Sequence, residues 1–283
     1  DALSEAEKAK NSNDPSAVGT ATTDLQAAQS GLNGDSKLAT AKDQADQNIA
    51  KLPNLSDGQK DIAKQNISNA QTTSDVQQAE QTAKTLNDDL GNLNQAISDA
   101  NSAKSTPNYT EADSGKQTAL DDALSEAEKA KNSNDPSAVG TATTDLQAAQ
   151  SGLNGDSKLA TAKDQADQNI AKLPNLSDGQ KDIAKQNISN AQTTSDVQQA
   201  EQTAKTLNDD LGNLNQAISA ANSAKSTPNY NEADPDKQKA LDGALSAAKT
   251  AKTSNDPSAV ATATKHLQAA QSGLNGDSNL ANT

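Results

Sequence analysis

Few side chains among the 283 residues have the types and spacing that reactive chemistry needs. The one histidine is His266 and there is no cysteine, so neither a nucleophile–base pair nor a zinc site can be assembled. His266 stands where Asp145 stands in an internal copy of the same segment, so it reads as solvated surface. Adjacent acids occur at Asp88-Asp89 and Asp121-Asp122, but neighbours on a helix point about 100° apart. No loop has the D-x-D-x-D-G spacing with a closing Glu of a calcium site. Leu32-Asn33-Gly34-Asp35 is a helix stop followed by a cap, not a phosphate-cradling loop. The sequence therefore predicts no catalytic residue, no metal and no cofactor, and leaves the ligand-binding residues unknown. The two aromatics, Tyr109 and Tyr230, each follow Pro-Asn at a helix break. Each ring is expected to cover the end of a bundle with its hydroxyl in water; the alternative is an exposed contact residue.

The formal net charge is -14 and every basic residue is Lys. Such a surface repels nucleic acid and anionic membranes and lacks the guanidinium forks that read phosphates. Aromatics make up 1%, and the mean hydropathy is -0.86, a composition that competes seriously for disorder. Unbroken helical periodicity and well-placed caps decide against it, and imply thin, Ala-rich cores. Without cysteine the redox compartment is unreadable, though an exported bacterial protein without disulfides fits. No stretch approaches the ~20 apolar residues of a membrane span, and no signal peptide begins at Asp1.

The organising element runs from Ser74 to Lys104. Its apolar residues are Val76, Ala79, Ala83, Leu86, Leu90, Leu93, Ile97 and Ala100, an a/d heptad held without a slip. Ser74 with Gln77 reads as its capping box, and Gly91 lies off the stripe, weakening the helix by ~1 kcal/mol. A helix of about 30 residues is roughly 45 Å long, too long for one small bundle. Its first half is expected in one bundle and its second half in the next.

Residues 1–98 are identical to 122–219, and a drifted partial copy covers 243–283. Asp1 corresponds to Asp122, inside a helix, so the chain reads as an excerpt of a longer array. Within one repeat, Asp14-Pro15 starts a helix ending at Ser30-Gly31, with Val18, Ala21, Leu25 and Ala28 as its stripe. A second helix spans about 36–51, with Leu38, Ala41, Ala45, Ile49 and Leu52 inward, and Pro53 stops it. Ser56 with Gln59 opens a third to about Ala70, with Ala63 and Ile67 inward. After the long helix, Ser105-Thr106-Pro107-Asn108 breaks the chain, and Thr110 with Asp113 caps a helix to about Asn132. That helix carries Ala119, Leu120, Ala123, Leu124, Ala127 and Ala130 on its apolar band. Substitutions in the drifted copy (Asp99 to Ala220, Glu126 to Ala247, Glu128 to Lys249, Thr144 to Lys265, Asp145 to His266) all fall on positions placed outward. The predicted fold is all-α: tandem three-helix bundles joined by shared long helices into an elongated rod.

Several segments carry a family resemblance: L-A-T-A-K-D-Q-A at Leu38–Ala45, L-P-N-L-S-D-G-Q-K at Leu52–Lys60, I-S-N-A-Q-T at Ile67–Thr72 and T-L-N at Thr85–Asn87. Others are S-T-P-N-Y-T-E-A-D at Ser105–Asp113, N-D-P at Asn134–Pro136 and L-N-G at Leu153–Gly155. Through these the chain resembles the giant extracellular-matrix-binding surface proteins of staphylococci and related Gram-positive bacteria, which alternate GA-like and FIVAR modules. The resemblance implies a partial FIVAR-like module at 1–31, GA-like bundles at 32–90 and 153–211, FIVAR-like bundles at 91–152 and 212–273, and the start of another module at 274–283. It implies a monomeric, wall-attached adhesin on the bacterial cell surface that binds host matrix protein, fibronectin being the usual candidate. A purely structural stalk projecting a terminal adhesive domain is the alternative. Albumin binding by the GA-like half, which has no aromatic or Arg anchor, ranks below a spacer role.

Overall fold

The computed structural model describes residues 1–282; Thr283, in the segment expected to start another module, lies outside them. Among the described residues the chain is helical with connecting turns and no strand. It divides into two compact units, one of Asp1–Asn101 with Leu120–Ser151, the other of Ser102–Ala119 with the residues from Gly152 onward.

The first unit opens with α1 (Ala2–Ala9) and α2 (Pro15–Ser30), where Asp14 accepts from the Ser16 amide and Pro15 sits at N1, a position at which its missing N–H costs nothing. Then come α3 (Gly34–Ala50), α4 (Asp57–Asn69) and α5 (Thr73–Ala103). Ser56 and Gln59 form the expected capping box on α4. Seven of the eight stripe residues of α5 are buried, Ala79 being half-buried. Its first half faces α3 and the turn before α4: Asn48 Nδ2 donates to Glu80 Oε1 at 2.9 Å, and the Asn54 amide donates to Asn87 Oδ1 at 2.9 Å. The turn α6 (Pro107–Thr110) belongs to the second unit; from Leu120 onward α7 (Ser114–Ala130), with α8 (Pro136–Ser151), supplies the first with Leu120, Ala127, Val139 and Leu146, all fully buried.

The second unit repeats the plan with α9 (Gly155–Ala171), α10 (Asp178–Asn190), α11 (Thr194–Ala224), α12 (Pro228–Asn231), α13 (Pro235–Ala251), α14 (Pro257–Ser272) and α15 (Gly276–Ala281). Here α11 packs against α9 and α10 and also against α13 and α14. One continuous core runs from Leu159 through Leu207, Leu211 and Leu214 to Leu241, Val260 and Leu267. One helix therefore serves two bundles, and burial of its stripe at roughly 25 cal/mol per Å² of apolar area stabilises both at once.

Three local expectations are corrected. The start of α5 is capped by Thr72 and Asp75, each bonding the other's backbone amide at 3.1 and 2.9 Å, not by Ser74 with Gln77; an ionised carboxylate is the stronger acceptor for helix-terminal amides. Thr110 does not cap the following helix. Pro107 begins a separate helical turn that contains Thr110, and α7 starts at Ser114. Gly91 is more than a weak point in α5. Asn54 Nδ2 lies where a Cβ would come within 2.8 Å, and that amide donates to the Asn87 carbonyl at 2.9 Å. The missing side chain lets the turn grip the helix. Gly212 and Asn175 repeat the arrangement.

Candidate interaction surfaces and module joints

The residues singled out in the sequence are not gathered into one cleft. His266 is exposed on α14. Among the described residues no group of three or more His, Asp or Glu side chains could hold a metal. Asp88 is exposed and accepts from Asn87 Nδ2 at 3.1 Å, whereas Asp89 is half-buried.

The tyrosines lie at the tips, where a long helix breaks and Pro starts the next turn. Tyr230 packs against the hydrophobic core of its unit, as expected for a ring that closes a bundle. Its hydroxyl, expected in water, instead donates to Asp242 Oδ2 at 2.9 Å, while Lys225 Nζ reaches Asp242 Oδ1 at 2.7 Å and stands 5.4 Å from the ring centroid. The hydrogen bond to Asp242 pushes the Tyr230 pKa up. Lys225, then Tyr230, hold the Asp242 carboxyl below its ordinary value. Lys104 stands 5.6 Å from the Tyr109 ring in the same way.

Each tip also builds a joint, and both joints lie in the second unit. The carbonyl oxygens of Pro107 and Asn108 occupy the space that a Cβ on Gly155 would need, so only glycine lets α9 start there. Asn108 Oδ1 then accepts from the Asp156 amide at 3.1 Å, the part an N-cap side chain plays. Asp113 accepts from Asn154 Nδ2 at 2.8 Å and Lys158 Nζ at 2.9 Å, and Glu111 Oε2 accepts from the Thr194 amide at 3.0 Å and its hydroxyl at 2.6 Å. Lys158 holds the Asp113 carboxyl below its usual range, and Thr194 does the same for Glu111. The second joint substitutes Asn279 for Lys158, yet Asn279 Nδ2 still donates to Asp234 Oδ1 at 3.2 Å, and the carbonyls of Pro228 and Asn229 fill the space beside Gly276. The bond survives where the charge does not.

Within each unit a glutamine ties paired bundles together. Gln59 is buried, and besides its capping role its Nε2 donates to the carbonyls of Lys131 and Ser133 at 3.1 and 2.7 Å. Gln180 does the same to Lys252 and Ser254. This second use was hidden because its partners lie 72 and 74 residues away. In the GA-like halves Ile62 on α4 and Ile183 on α10 are exposed.

Paired three-helix bundles threaded on shared helices, recurring with the same joints, define a tandem-module repeat protein. Residues 35–89 and 156–210 match the GA module, and residues 89–154 and 210–275 match the FIVAR domain. The chain is 36% identical over 95% of its length to extracellular matrix-binding protein EbhA of Staphylococcus aureus strain Newman, and equally to extracellular matrix-binding protein ebh of strain NCTC 8325. It spans only 8% and 3% of those relatives. The crystal structure of the EbhA 756–1003 domain from the same species superposes with a TM-score of 0.65 at 32% identity, over 68% of this chain and 80% of that one. The chain belongs to the family of staphylococcal-type extracellular matrix-binding proteins built from alternating GA and FIVAR modules. Neither module family is enzymatic. No described helix is long and apolar enough to cross a membrane.

Proposed function

We propose that this chain is part of the repeat region of a bacterial cell-surface adhesin, an extended rod that binds a host matrix protein, fibronectin foremost, weakly and multivalently. The observation that carries the reading is recurrence: residues 1–98 and 122–219 are identical, so one exposed surface is presented again after every shared helix. A surface without aromatic or Arg anchors binds feebly, in the micromolar range or weaker, about 8 kcal/mol or less. Repetition along one chain raises avidity toward a long or immobilised partner. The relatives' description as extracellular matrix-binding proteins supports the same reading.

The test is binding of one, two and four repeats to immobilised fibronectin at two salt concentrations. Apparent affinity is expected to rise steeply with copy number and to fall with salt, because the acidic surface must engage basic segments of the partner. Tight binding by one repeat, unchanged by copy number, contradicts the multivalent mechanism. Absence of binding at every copy number supports the second reading, a structural stalk that projects a terminal adhesive domain. One observation favours that reading: Glu111, Asp113 and the Tyr230 hydroxyl are engaged within the chain.

A further inference from the structure

The joint between the tip and α9 turns on an Asn-Gly pair, Asn154-Gly155. One residue fixes both ends of the Asn154 amide: its Oδ1 accepts from the Asp113 amide at 3.0 Å, and its Nδ2 donates to Asp113 Oδ2 at 2.8 Å. Gly155 is buried against the carbonyls of Pro107 and Asn108, with no room for a Cβ. The second joint repeats both bonds between Asn275 and Asp234, at 3.0 and 2.8 Å, and the tight fit at Gly276. Packing therefore demands a dipeptide that is chemically fragile. An asparagine amide is open to attack by the next backbone nitrogen, and glycine puts no side chain in the way.

We propose that Asn154-Gly155 is a deamidation site gated by the joint, and that its product cannot rebuild the joint. In the reaction the Gly155 nitrogen loses its proton and bonds to Asn154 Cγ. The Cγ–Nδ2 bond breaks, and ammonia leaves with that proton. Water then opens the five-membered imide to aspartate or isoaspartate, so water is the only co-reactant. The closed joint blocks the first step in three ways. Asp113 pins the amide, the Asn154 ψ of 13° turns the Gly155 nitrogen away from the side-chain carbon, and the tip carbonyls leave Gly155 no space to move. Opening the joint releases all three.

Conversion puts a carboxylate oxygen where Nδ2 now donates to Asp113, and like charges sharing one site disfavour it. Isoaspartate also lengthens the backbone beside a glycine that has no slack. Lys158 Nζ, 2.9 Å from Asp113 Oδ1, offsets part of the repulsion; the neutral Asn279 of the second joint cannot. Each opening thus carries a chance of becoming permanent.

The test follows the amide-to-acid mass gain at residue 154 in the full chain at neutral pH. Tryptic peptides 11–37 and 132–158 are identical, so every sample carries Thr144→Lys, an exposed position at which the third copy has Lys265. Conversion at Asn154 is expected to be about tenfold or more slower in the folded chain than in guanidinium. In folded Asp113→Ala it should rise toward the denatured rate while Asn275 keeps its folded rate. Asn108→Ala, which removes the acceptor for the Asp156 amide, is a second opening variant with the same expectation. Equal rates in the folded and denatured chain overturn the gate. So does an Asn154 rate that neither variant raises, or an acceleration that Asn275 shares in both. For the product, Asn154→Asp should speed labelling of a Leu153→Cys thiol roughly tenfold, and adding Lys158→Asn should speed it further. Labelling unchanged by Asn154→Asp overturns the one-way joint.

Discussion

Residues 1–31 and 122–152 are the same sequence in two settings. In the second, Val139 has no exposed surface; in the first, Val18 is 39% exposed. The corresponding Val260 of the second unit shares one core with α11, which packs on both α13 and α14. The segment following each shows the same contrast: Leu32 is 80% exposed, whereas Leu153, beside the tip of residues 107–113, is 8% exposed. Both copies still form their helices, so local signals such as Asp14-Pro15 are sufficient for secondary structure. They are not sufficient for a core. The FIVAR-like core is completed by a helix that begins in the GA-like module, which makes the pair the structural unit.

Breaking α5 should erase the contrast with the largest effect. Leu90→Pro removes a fully buried leucine and introduces a helix break worth about 3 kcal/mol or more. It is expected to strip protection from a thiol at Ala45 on one side of the break and from one at Val139 on the other. Loss on one side alone would mean that the bundles fold separately. Next in size is a matched pair: Leu146→Ala should cost ~2–5 kcal/mol, whereas Leu25→Ala, the same change in the open copy, should cost less than about 1 kcal/mol. Equal losses in denaturant titrations would remove the distinction between the two settings.

The heptad made α5, its stripe and its double service legible in the sequence, because burial of a repeating apolar face is a local pattern. Residues that hold one segment against another were misread or missed. The spacing of Asp113 predicts a cap, whereas its carboxylate accepts from Asn154 and Lys158. The capping-box spacing of Gln59 gives no sign of its bonds to the carbonyls of Lys131 and Ser133 in the turn after α7. Leu55, in the turn before α4, is buried at 5% exposure without belonging to any periodic face. Gly91 looked like a helix weakness because the amide that uses its space comes from Asn54, far back in the chain. Periodicity reports a residue's own helix, whereas these roles depend on partners in other segments.

A smaller effect sharpens the Gly91 reading. Gly91→Ala in the intact protein should destabilise or be neutral, since the added carbon displaces Asn54. In an Asn54→Ala background it should stabilise by up to ~1 kcal/mol, the helix propensity gain. A thermal-melt double-mutant cycle separates these; stabilisation in both backgrounds would mean that Asn54 does not need the space.

Acid should produce the smallest effect, confined to the joint. Glu111 and Asp113 have folded pKa values below their ordinary ones. Their contribution is therefore fully present above the usual carboxylate range and is lost as pH falls through the depressed values, below about pH 4. The ratio of labelling rates for Leu153→Cys and Leu32→Cys, read with a dithiodipyridine that reacts in acid, should rise toward one in that window. A ratio independent of pH would remove the two carboxylates from the joint.

The central claim is tested most directly by one pair of rates. The chain has no cysteine of its own, so Val18→Cys and Val139→Cys each place a single thiol in identical local sequence. The Val18→Cys thiol is expected to label at close to the rate of an unstructured thiol. The fully buried Val139→Cys thiol should label slower by a factor of about a hundred or more, the ratio that ~2.7 kcal/mol of local stability gives. Equal rates would contradict the claim that the long helix completes the core.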